Sequence, residues 1–320
     1  MIWLTWRQHR AQILVTAGLL AVLGLLLLGS AVEAKLYVAG NAPPGCPGPA
    51  PACWDLTAAL SERYYAIYTI YGWMPLVAPA LIGAFWGAPL LGREYERGTH
   101  KLAWTQSVSA GRWLTAKLAV LGGMVVAGGL LLSAMISLWR RVFWDGIDRS
   151  FGNLGVFNMV GVVPAAWWLY AFALGTAAGV LFRRTLPAMA LVVAGIAVTM
   201  FTLFGLSAHY AEPARTLLTG TTVLPDSDAR LVRAAWVDPS GRELTDAPAG
   251  VCLHRPDTGQ SDRGQRAYEQ CLFGKGYRFA IYYHPPTRFW RFQWTETALL
   301  TALSLALAGA AVHRVLRRKV

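Results

Sequence analysis

The chain has 320 residues, of which 55% are hydrophobic and only 14% are charged. A soluble domain carries about 25% charged residues, so this composition excludes both a cytosolic globular enzyme and a disordered chain. The formal net charge of +12 suits either a nucleic acid or a membrane as a partner, and the low charge density favours the membrane.

Six stretches are apolar enough to cross a bilayer, whose hydrocarbon core needs roughly 20 such residues per helix. None of them contains Asp, Glu, Lys or Arg; they cover residues 11–32, 71–91, 118–138, 160–182, 186–207 and 297–312. One such stretch could be a buried helix of a soluble protein, but six could not. The sequence therefore predicts an all-α polytopic membrane protein with six transmembrane helices. Four regions follow, at residues 1–10, 11–207, 208–296 and 297–320.

The first region is short, aromatic and basic. Trp3, Trp6, Arg7 and Arg10 are typical of the headgroup level of a membrane. This pattern predicts an interfacial helix that bends into the first span, with an ordinary helix flank as the alternative. A cleaved signal peptide is a further alternative, but no small-residue cleavage site follows the apolar run.

Lys and Arg in short loops indicate the orientation of a membrane protein. If the N terminus is inside, most of these basic residues fall on the inner side, including Arg93, Arg183 and the C-terminal tail 313–319. Both termini are therefore expected in the cytoplasm. The basic tail is expected to bind anionic membrane lipid, and no nucleic acid is expected as a partner.

The four cysteines all fall in predicted outer segments. Cys46 and Cys53 lie in the first outer loop, whereas Cys252 and Cys271 lie in the large segment before the last span. Disulfides persist in oxidising compartments, and proximity in sequence predicts the pairs Cys46–Cys53 and Cys252–Cys271. Four free thiols remain an alternative, as does a metal site that includes His254, although no metal site is expected.

Residues 92–117 form the largest predicted inner loop. Its first part, Gly92 to Lys101, holds both carboxylates of the inner side, Glu94 and Glu96, and Gly98 allows the backbone to turn. Paired charges beside a glycine are compatible with a protein docking surface and equally with a solvated turn. The residues alone leave these two interpretations open.

Residues 208–296 are predicted to form a small mixed α/β extracellular domain between the fifth and sixth helices. Residues 230–245 predict a hairpin that turns at Asp238–Gly241, and residues 277–283 alternate as a strand does. An aromatic and basic cluster follows, which belongs at the outer membrane interface. Its members are Arg288, Phe289, Trp290 and Trp294.

The sequence lacks the motifs of several classes of enzyme and transporter. It has no Gly-x-x-x-x-Gly-Lys-Ser/Thr phosphate loop, no His-Glu-x-x-His helix and no Gly-x-Ser-x-Gly elbow. The apolar stretches carry no acids of the kind that drive proton-coupled carriers. Gly175-x-x-x-Gly179 offers close helix packing, and packing within one chain is favoured over packing between chains. The chain is expected to hold no cofactor and to depend on a partner for energy if it transports.

Three motifs of the chain stand out together. They are Trp3-Leu4-Thr5-Trp6-Arg7-Gln8, Arg93-Glu94-Tyr95-Glu96-Arg97-Gly98-Thr99 followed by Trp104-Thr105-Gln106-Ser107-Val108-Ser109 and by Arg112-Trp113 with Lys117, and Tyr283-His284-Pro285-Pro286-Thr287-Arg288-Phe289-Trp290 with Gln293 and Glu296. In these motifs the chain resembles the membrane subunits of ABC-2 type exporters, especially actinobacterial ones. The resemblance covers the whole chain.

The resemblance implies a permease subunit in a bacterial plasma membrane that exports an amphipathic or hydrophobic substrate. ATP and Mg would bind to a separate ATP-binding subunit, and the chain itself would not be an enzyme. Residues 1–10 would be the elbow helix, and Arg93, Glu94, Tyr95, Glu96, Arg97, Gly98 and Thr99 would belong to the coupling helix that docks on that subunit. Two copies of each subunit would assemble, with a homodimer of permeases.

Two other functions are compatible with the residues. The chain could be a non-transporting receptor or resistance module whose extracellular domain binds a ligand. It could also be a lipid-modifying enzyme of the membrane surface, for which Arg140, Arg141, Asp145 and Asp148 are the one candidate cluster. That cluster is more typical of a solvated outer loop.

Overall fold

The structure is a computed structural model that describes residues 2–46, 51–96, 110–143, 151–220, 222, 226, 228–246, 248, 250–252 and 262–317. Its α-helices are α1 (Ile2–Asn41), α2 (Trp54–Arg63), α3 (Tyr65–Ile82), α4 (Ala88–Glu96), α5 (Ala110–Phe143), α6 (Leu154–Phe157), α7 (Val163–Phe182), α8 (Thr185–Ser207), α9 (Asp262–Gly274) and α10 (Phe289–Arg317). Its strands are β1 (Ala214–Leu218), β2 (Arg230–Val237), β3 (Glu243–Leu244) and β4 (Arg278–His284). The fold is thus mostly helical, with a small sheet between α8 and α10.

The chain divides into two compact units. The larger unit contains the long apolar helices. The smaller unit contains Leu206–Trp290 together with the short segment that ends at Asn153.

Six helical segments of the described residues are long and apolar enough to span a membrane, which confirms the predicted number of candidate spans. They are Arg7–Asn41, Gly72–Glu96, Gly111–Arg141, Val163–Phe182, Thr185–Ser207 and Pro286–Arg317. Most of them extend beyond the apolar stretches of the sequence. Consequently Glu33 and Glu296, which flank those stretches, lie on candidate spans, so the expectation of spans without ionisable residues is wrong for the full helices.

Helix α1 runs without interruption from Ile2 to Asn41. The sequence predicts a separate interfacial helix at residues 1–10 that bends into the first span, and the structure differs from it. No glycine or proline precedes Gly18 to end a helix in this region. Trp3, Trp6, Arg7 and Arg10 therefore lie on the same helix as the first apolar stretch.

The second candidate span is held against α7 by glycines. It contains the part of α3 from Gly72 onward, a π-helical turn at Gly83–Gly87, and α4. A Cβ atom on Gly175 would lie 2.9 Å from the Cα atom of Gly87, and one on Gly179 would lie 2.7 Å from the carbonyl oxygen of Ala88. The two backbones are thus too close for any side chain at these positions. The intramolecular packing predicted for Gly175-x-x-x-Gly179 is confirmed.

The smaller unit is built on an antiparallel sheet with the strand order β1-β4-β2-β3. The predicted hairpin is confirmed as β2 and β3, with Gly241 in the left-handed region at φ 92°. The predicted strand at 277–283 is confirmed as β4. One face of the sheet packs on α9 through Trp236, Tyr268 and Leu272.

Both predicted disulfides are present in the structure. Cys46 is bonded to Cys53 and Cys252 to Cys271, with Cα–Cα distances of 5.6 Å and 6.2 Å. The first bridge closes the turn between α1 and α2. The second joins α9 to the segment that precedes it.

Candidate functional site

The end of α4 carries an ion pair with α5. The Nζ atom of Lys117 donates to Oε1 of Glu94 at 2.8 Å, and the lysine side chain is only 3% exposed. The same Nζ atom lies 4.1 Å from the ring centroid of Trp113. Breaking a buried ion pair from one side is costly, because the remaining charge is left without its partner. The pair therefore fixes the end of the second candidate span to the third.

Glu96, the last residue of α4, binds the start of α8. Its carboxylate accepts hydrogen bonds from the backbone N–H of Thr185 at 2.8 Å and from the Thr185 hydroxyl at 3.0 Å. The first N–H groups of a helix have no partners within the helix, and the helix dipole favours a negative charge there. Glu96 thus acts as an N-terminal cap supplied by another helix.

Tyr95 packs against the turn between α7 and α8. The guanidinium of Arg183 lies over its ring, 5.5 Å from the centroid. Arg183 ends α7 in the left-handed region at φ 55°, with its N–H bonded to the carbonyl of Gly179 at 3.0 Å. The short turn between α7 and α8 therefore contacts the end of α4.

We call these residues the α4-end cluster; its members are Glu94, Tyr95, Glu96, Lys117, Arg183 and Thr185. The sequence singles out the first three and includes Lys117 in the motif that follows them, but it does not indicate which residues are partners. The resemblance implies that Glu94 and Glu96 dock on another protein, whereas the structure gives both carboxylates partners within the chain. Arg93 is exposed on α4. The predicted coupling residues Arg97, Gly98 and Thr99 lie outside the described residues.

A second polar group lies where α10 meets the start of α7. Oε1 of Gln293 accepts from the N–H groups of Val162 and Val163 at 3.0 and 3.1 Å, and its Nε2 donates to the carbonyl of Phe157 at 3.0 Å. The side chain of Gln293 is fully buried. It caps α7 from another helix and satisfies three backbone groups at once.

Glu296 lies one turn further along α10 and is 4% exposed. The indole N–H of Trp167 donates to Oε1 of Glu296 at 3.1 Å. The same N–H donates to Oδ1 of Asn158 at 3.0 Å. On the other side of the turn, the hydroxyl of Ser133 donates to the carbonyl of Gly161 at 2.7 Å. Helices α5, α7 and α10 therefore meet at one polar junction, which we define as Ser133, Trp167, Gln293 and Glu296.

Sequence reasoning places Gln293 and Glu296 in a motif but assigns them no role. Their spacing of three residues puts both on one face of a helix, which is the available signal that they act together. The sequence does not indicate that Gln293 and Glu296 lie on a helix, because the apolar stretch begins only at residue 297, whereas α10 begins at Phe289.

The predicted outer-interface residues lie at the start of α10. Arg288 donates to the carbonyl of Glu212 and to Nδ1 of His284. The rings of Phe289 and Trp290 meet edge to face at 5.3 Å. Trp290 and Trp294 are 55% and 58% exposed, so both indoles are available to a membrane surface.

The end of α1 is bonded to α2. Glu33 accepts hydrogen bonds from Arg63 and, at 2.6 Å, from the hydroxyl of Tyr64. Burial, and then the bond to the Glu33 carboxylate, raises the pKa of Tyr64 to about 12. Tyr64 therefore stays a hydrogen-bond donor over the physiological pH range.

No group of three or more His, Cys, Asp or Glu side chains within the described ranges could hold a metal ion. Cys252 and Cys271 are joined to each other. His254, the third member of the metal alternative, lies outside the described residues.

Comparison with known proteins gives one family. The profile of the family described as ABC-2 membrane transporter related matches residues 17–206. This range runs from within α1 to within α8 and includes all six residues of the α4-end cluster, but it ends before the first strand of the sheet. No curated protein and no solved structure matches the chain.

Proposed function

The chain belongs to the ABC-2 membrane transporter related family, and on that premise we propose that it is the membrane-spanning permease subunit of an ABC-2 type exporter. Six helices suited to a bilayer support this assignment. The apolar helices suit an amphipathic or hydrophobic substrate, which would move outward.

ATP hydrolysis belongs, in this proposal, to a separate ATP-binding subunit. The sequence has no phosphate-binding loop of its own, and permeases of this kind depend on a nucleotide-binding partner. ATP and Mg would bind to that partner. A second copy of the permease would complete the transporter as a homodimer.

The α4-end cluster is the observation that carries the coupling mechanism. Helix α4 leads directly into residues 97–109, which we assign to the docking segment together with exposed Arg93. Because Glu94 is bonded to α5 and Glu96 to α8, a displacement of α4 would be passed on to both helices. A partner that moves as it binds ATP could thus change the arrangement of three candidate spans through one contact.

The orientation we propose has both termini in the cytoplasm of a bacterium. The α4-end cluster and the basic tail would then lie on the cytoplasmic side. The sheet and both disulfides would lie outside, where disulfides persist.

The test is a mild-detergent pull-down of the tagged chain from its native membrane, with ATPase activity as a second readout. We expect an ATP-binding protein in stoichiometric amount, and we expect Arg93→Glu to reduce its recovery. Arg314→Glu is the matched control, because Arg314 is also exposed and basic but lies on α10. A folded chain that is repeatedly recovered alone, without ATPase activity, would refute the permease assignment.

A further inference from the structure

A groove of about 360 Å³ runs along α1 inside the larger unit. Small residues of α1 form one wall, and methionines of α5 and an indole of α7 form the other. Residues that define it are Ala17, Ala21, Gly24, Met124, Met135 and Trp168. Its lining is almost entirely apolar.

Helix α1 is fastened at both ends of this groove. At one end, Gln12 donates to the carbonyl of Phe85 at 2.8 Å, and the indole N–H of Trp86 donates to the hydroxyl of Thr16 at 3.0 Å. Beyond the other end, the indole N–H of Trp139 donates to the hydroxyl of Ser30 at 2.9 Å. Between these ties, Ala17 and Ala21 stay exposed because their side chains are too short to reach the opposite wall.

The groove has the length of a lipid chain in one leaflet. Its α1 wall runs from Ile13 to Gly24, which is roughly 16 Å at the helical rise and about half of a hydrocarbon core of roughly 30 Å. Water would find no set of polar partners there. An empty groove would forfeit the dispersion contacts of its walls, so the matching occupant is a hydrocarbon chain.

A positive charge lies on α1 about one turn before the groove begins. Arg10 precedes Ile13 by three residues and is exposed. Positions 10, 13, 17, 20 and 24 follow the spacing of three and four that places residues on one face of a helix. A guanidinium at that place complements an anionic headgroup whose chain lies in the groove.

We propose that this groove is a binding site for one anionic phospholipid, with an acyl chain between α1 and α5 and the headgroup at Arg10. The lipid would complete the packing of α1, most of whose span is exposed. This site is independent of any transport activity of the chain.

The test is native mass spectrometry of the full chain in mild detergent after addition of dioleoylphosphatidylglycerol or, separately, dioleoylphosphatidylcholine. We expect one phosphatidylglycerol per chain to be retained in preference to phosphatidylcholine. The double variant Ala17→Phe and Ala21→Phe fills the groove and should lower the retention of phosphatidylglycerol at least about tenfold. Loss of contact with only a few acyl-chain methylene groups is enough for a change of this size. Its matched control is Leu14→Phe with Leu25→Phe, since both leucines are exposed away from the groove.

The headgroup contact has its own variant. Arg10→Glu should abolish the preference for phosphatidylglycerol while phosphatidylcholine is retained as before, and Arg278→Glu, at an exposed position on β4, should leave the preference unchanged. Equal retention in the groove variant and its leucine control would overturn the site, provided both variants elute as folded protein. Loss of self-association without loss of lipid in the groove variant would also overturn it, because a second copy would then be the occupant.

Discussion

Lys117 and Glu94 form an ion pair with an Nζ–Oε1 distance of 2.8 Å, and the lysine lies almost wholly out of contact with solvent. Glu94 lies in the last turn of α4, and Lys117 lies in the second turn of α5. The pair therefore connects the two helices on either side of residues 97–109. Interactions of this kind are costly to break from one side only, because the remaining charge stays buried.

Glu94→Gln should lower the free energy of unfolding by up to about 3 kcal/mol, since Lys117 would lose its anion. The double variant Glu94→Gln with Lys117→Met should recover most of this loss, because it removes both charges and keeps the volume. The stabilities of the unmodified protein, both single variants and the double variant form a double-mutant cycle, which thermal unfolding in detergent measures. Strictly additive losses in the double variant would show that the two residues do not interact.

Glu96→Gln should weaken the link between α4 and α8, because a neutral amide is a poorer partner for a helix N terminus than a carboxylate. In the assembled transporter we expect ATPase activity to persist while export falls. Thr185→Ser keeps both donors and is the control, whereas Thr185→Val removes the hydroxyl donor. The measurement is the ratio of substrate exported to ATP hydrolysed in proteoliposomes; an unchanged ratio in Glu96→Gln would speak against a coupling role.

Gly175→Ala should destabilise the larger unit by about 1–3 kcal/mol, the usual cost of overpacking. A Cβ atom at this position meets the backbone of Gly87, which cannot move as a side chain can. Gly123→Ala is the matched control, because Gly123 is also in a helix but has nothing within 4 Å of its Cβ position. We expect that control to be neutral or slightly stabilising. Similar melting temperatures for both variants would contradict the close contact.

The features that the sequence predicts well are those with a local cause. Apolar runs predict the six candidate spans, and Asp238-Pro239-Ser240-Gly241 predicts the turn between β2 and β3 because Gly241 can adopt a positive φ. The disulfides follow from short separations and a shared compartment. Strand β1 escapes prediction because it has only five residues. Helix α9 is polar overall, so its apolar face with Tyr268 and Leu272 is inconspicuous in the sequence.

The partners within the candidate site could not be predicted, because they are set by tertiary packing. Glu94 and Lys117 are separated by 23 residues, and Glu96 and Thr185 by 89. A single sequence shows that these residues are charged or polar but not that they meet. The role of Gln293 depends likewise on a turn 130 residues earlier in the chain.

Gln293→Leu should be among the most damaging substitutions in the larger unit. It would leave the N–H groups of Val162 and Val163 and the carbonyl of Phe157 without this partner, and each buried unsatisfied group costs about 1–3 kcal/mol. Thr295→Val is the control, because that hydroxyl bonds only the carbonyl of Arg291 one turn back on α10. We expect Gln293→Leu to lower the melting temperature strongly and Thr295→Val to leave it nearly unchanged. A mild effect of the leucine would mean that the start of α7 finds other partners.

Glu243 should make the sheet sensitive to acid. Its carboxylate accepts hydrogen bonds from the hydroxyl of Tyr282 and from Arg233, and these bonds, the tyrosine first, hold its pKa below the usual 4.5. A depressed folded-state pKa contributes stability that is present above the unfolded pKa and is lost as the pH falls through the folded pKa.

Hydrogen exchange in β2 and β4, measured from pH 7 downward on the full chain, should therefore show protection that declines below pH 4.5. Glu243→Gln should begin with less protection and lose less of it on acidification, so that the two proteins converge at low pH. Ser240→Ala is a control at the neighbouring turn, where the hydroxyl bonds Asp238 and not Glu243. It should keep the acid sensitivity of β2 and β4, because it leaves the Tyr282–Glu243 contact intact. If the difference in protection between Glu243→Gln and the unmodified protein stayed constant from pH 7 downward, the acid sensitivity would have to come from another group.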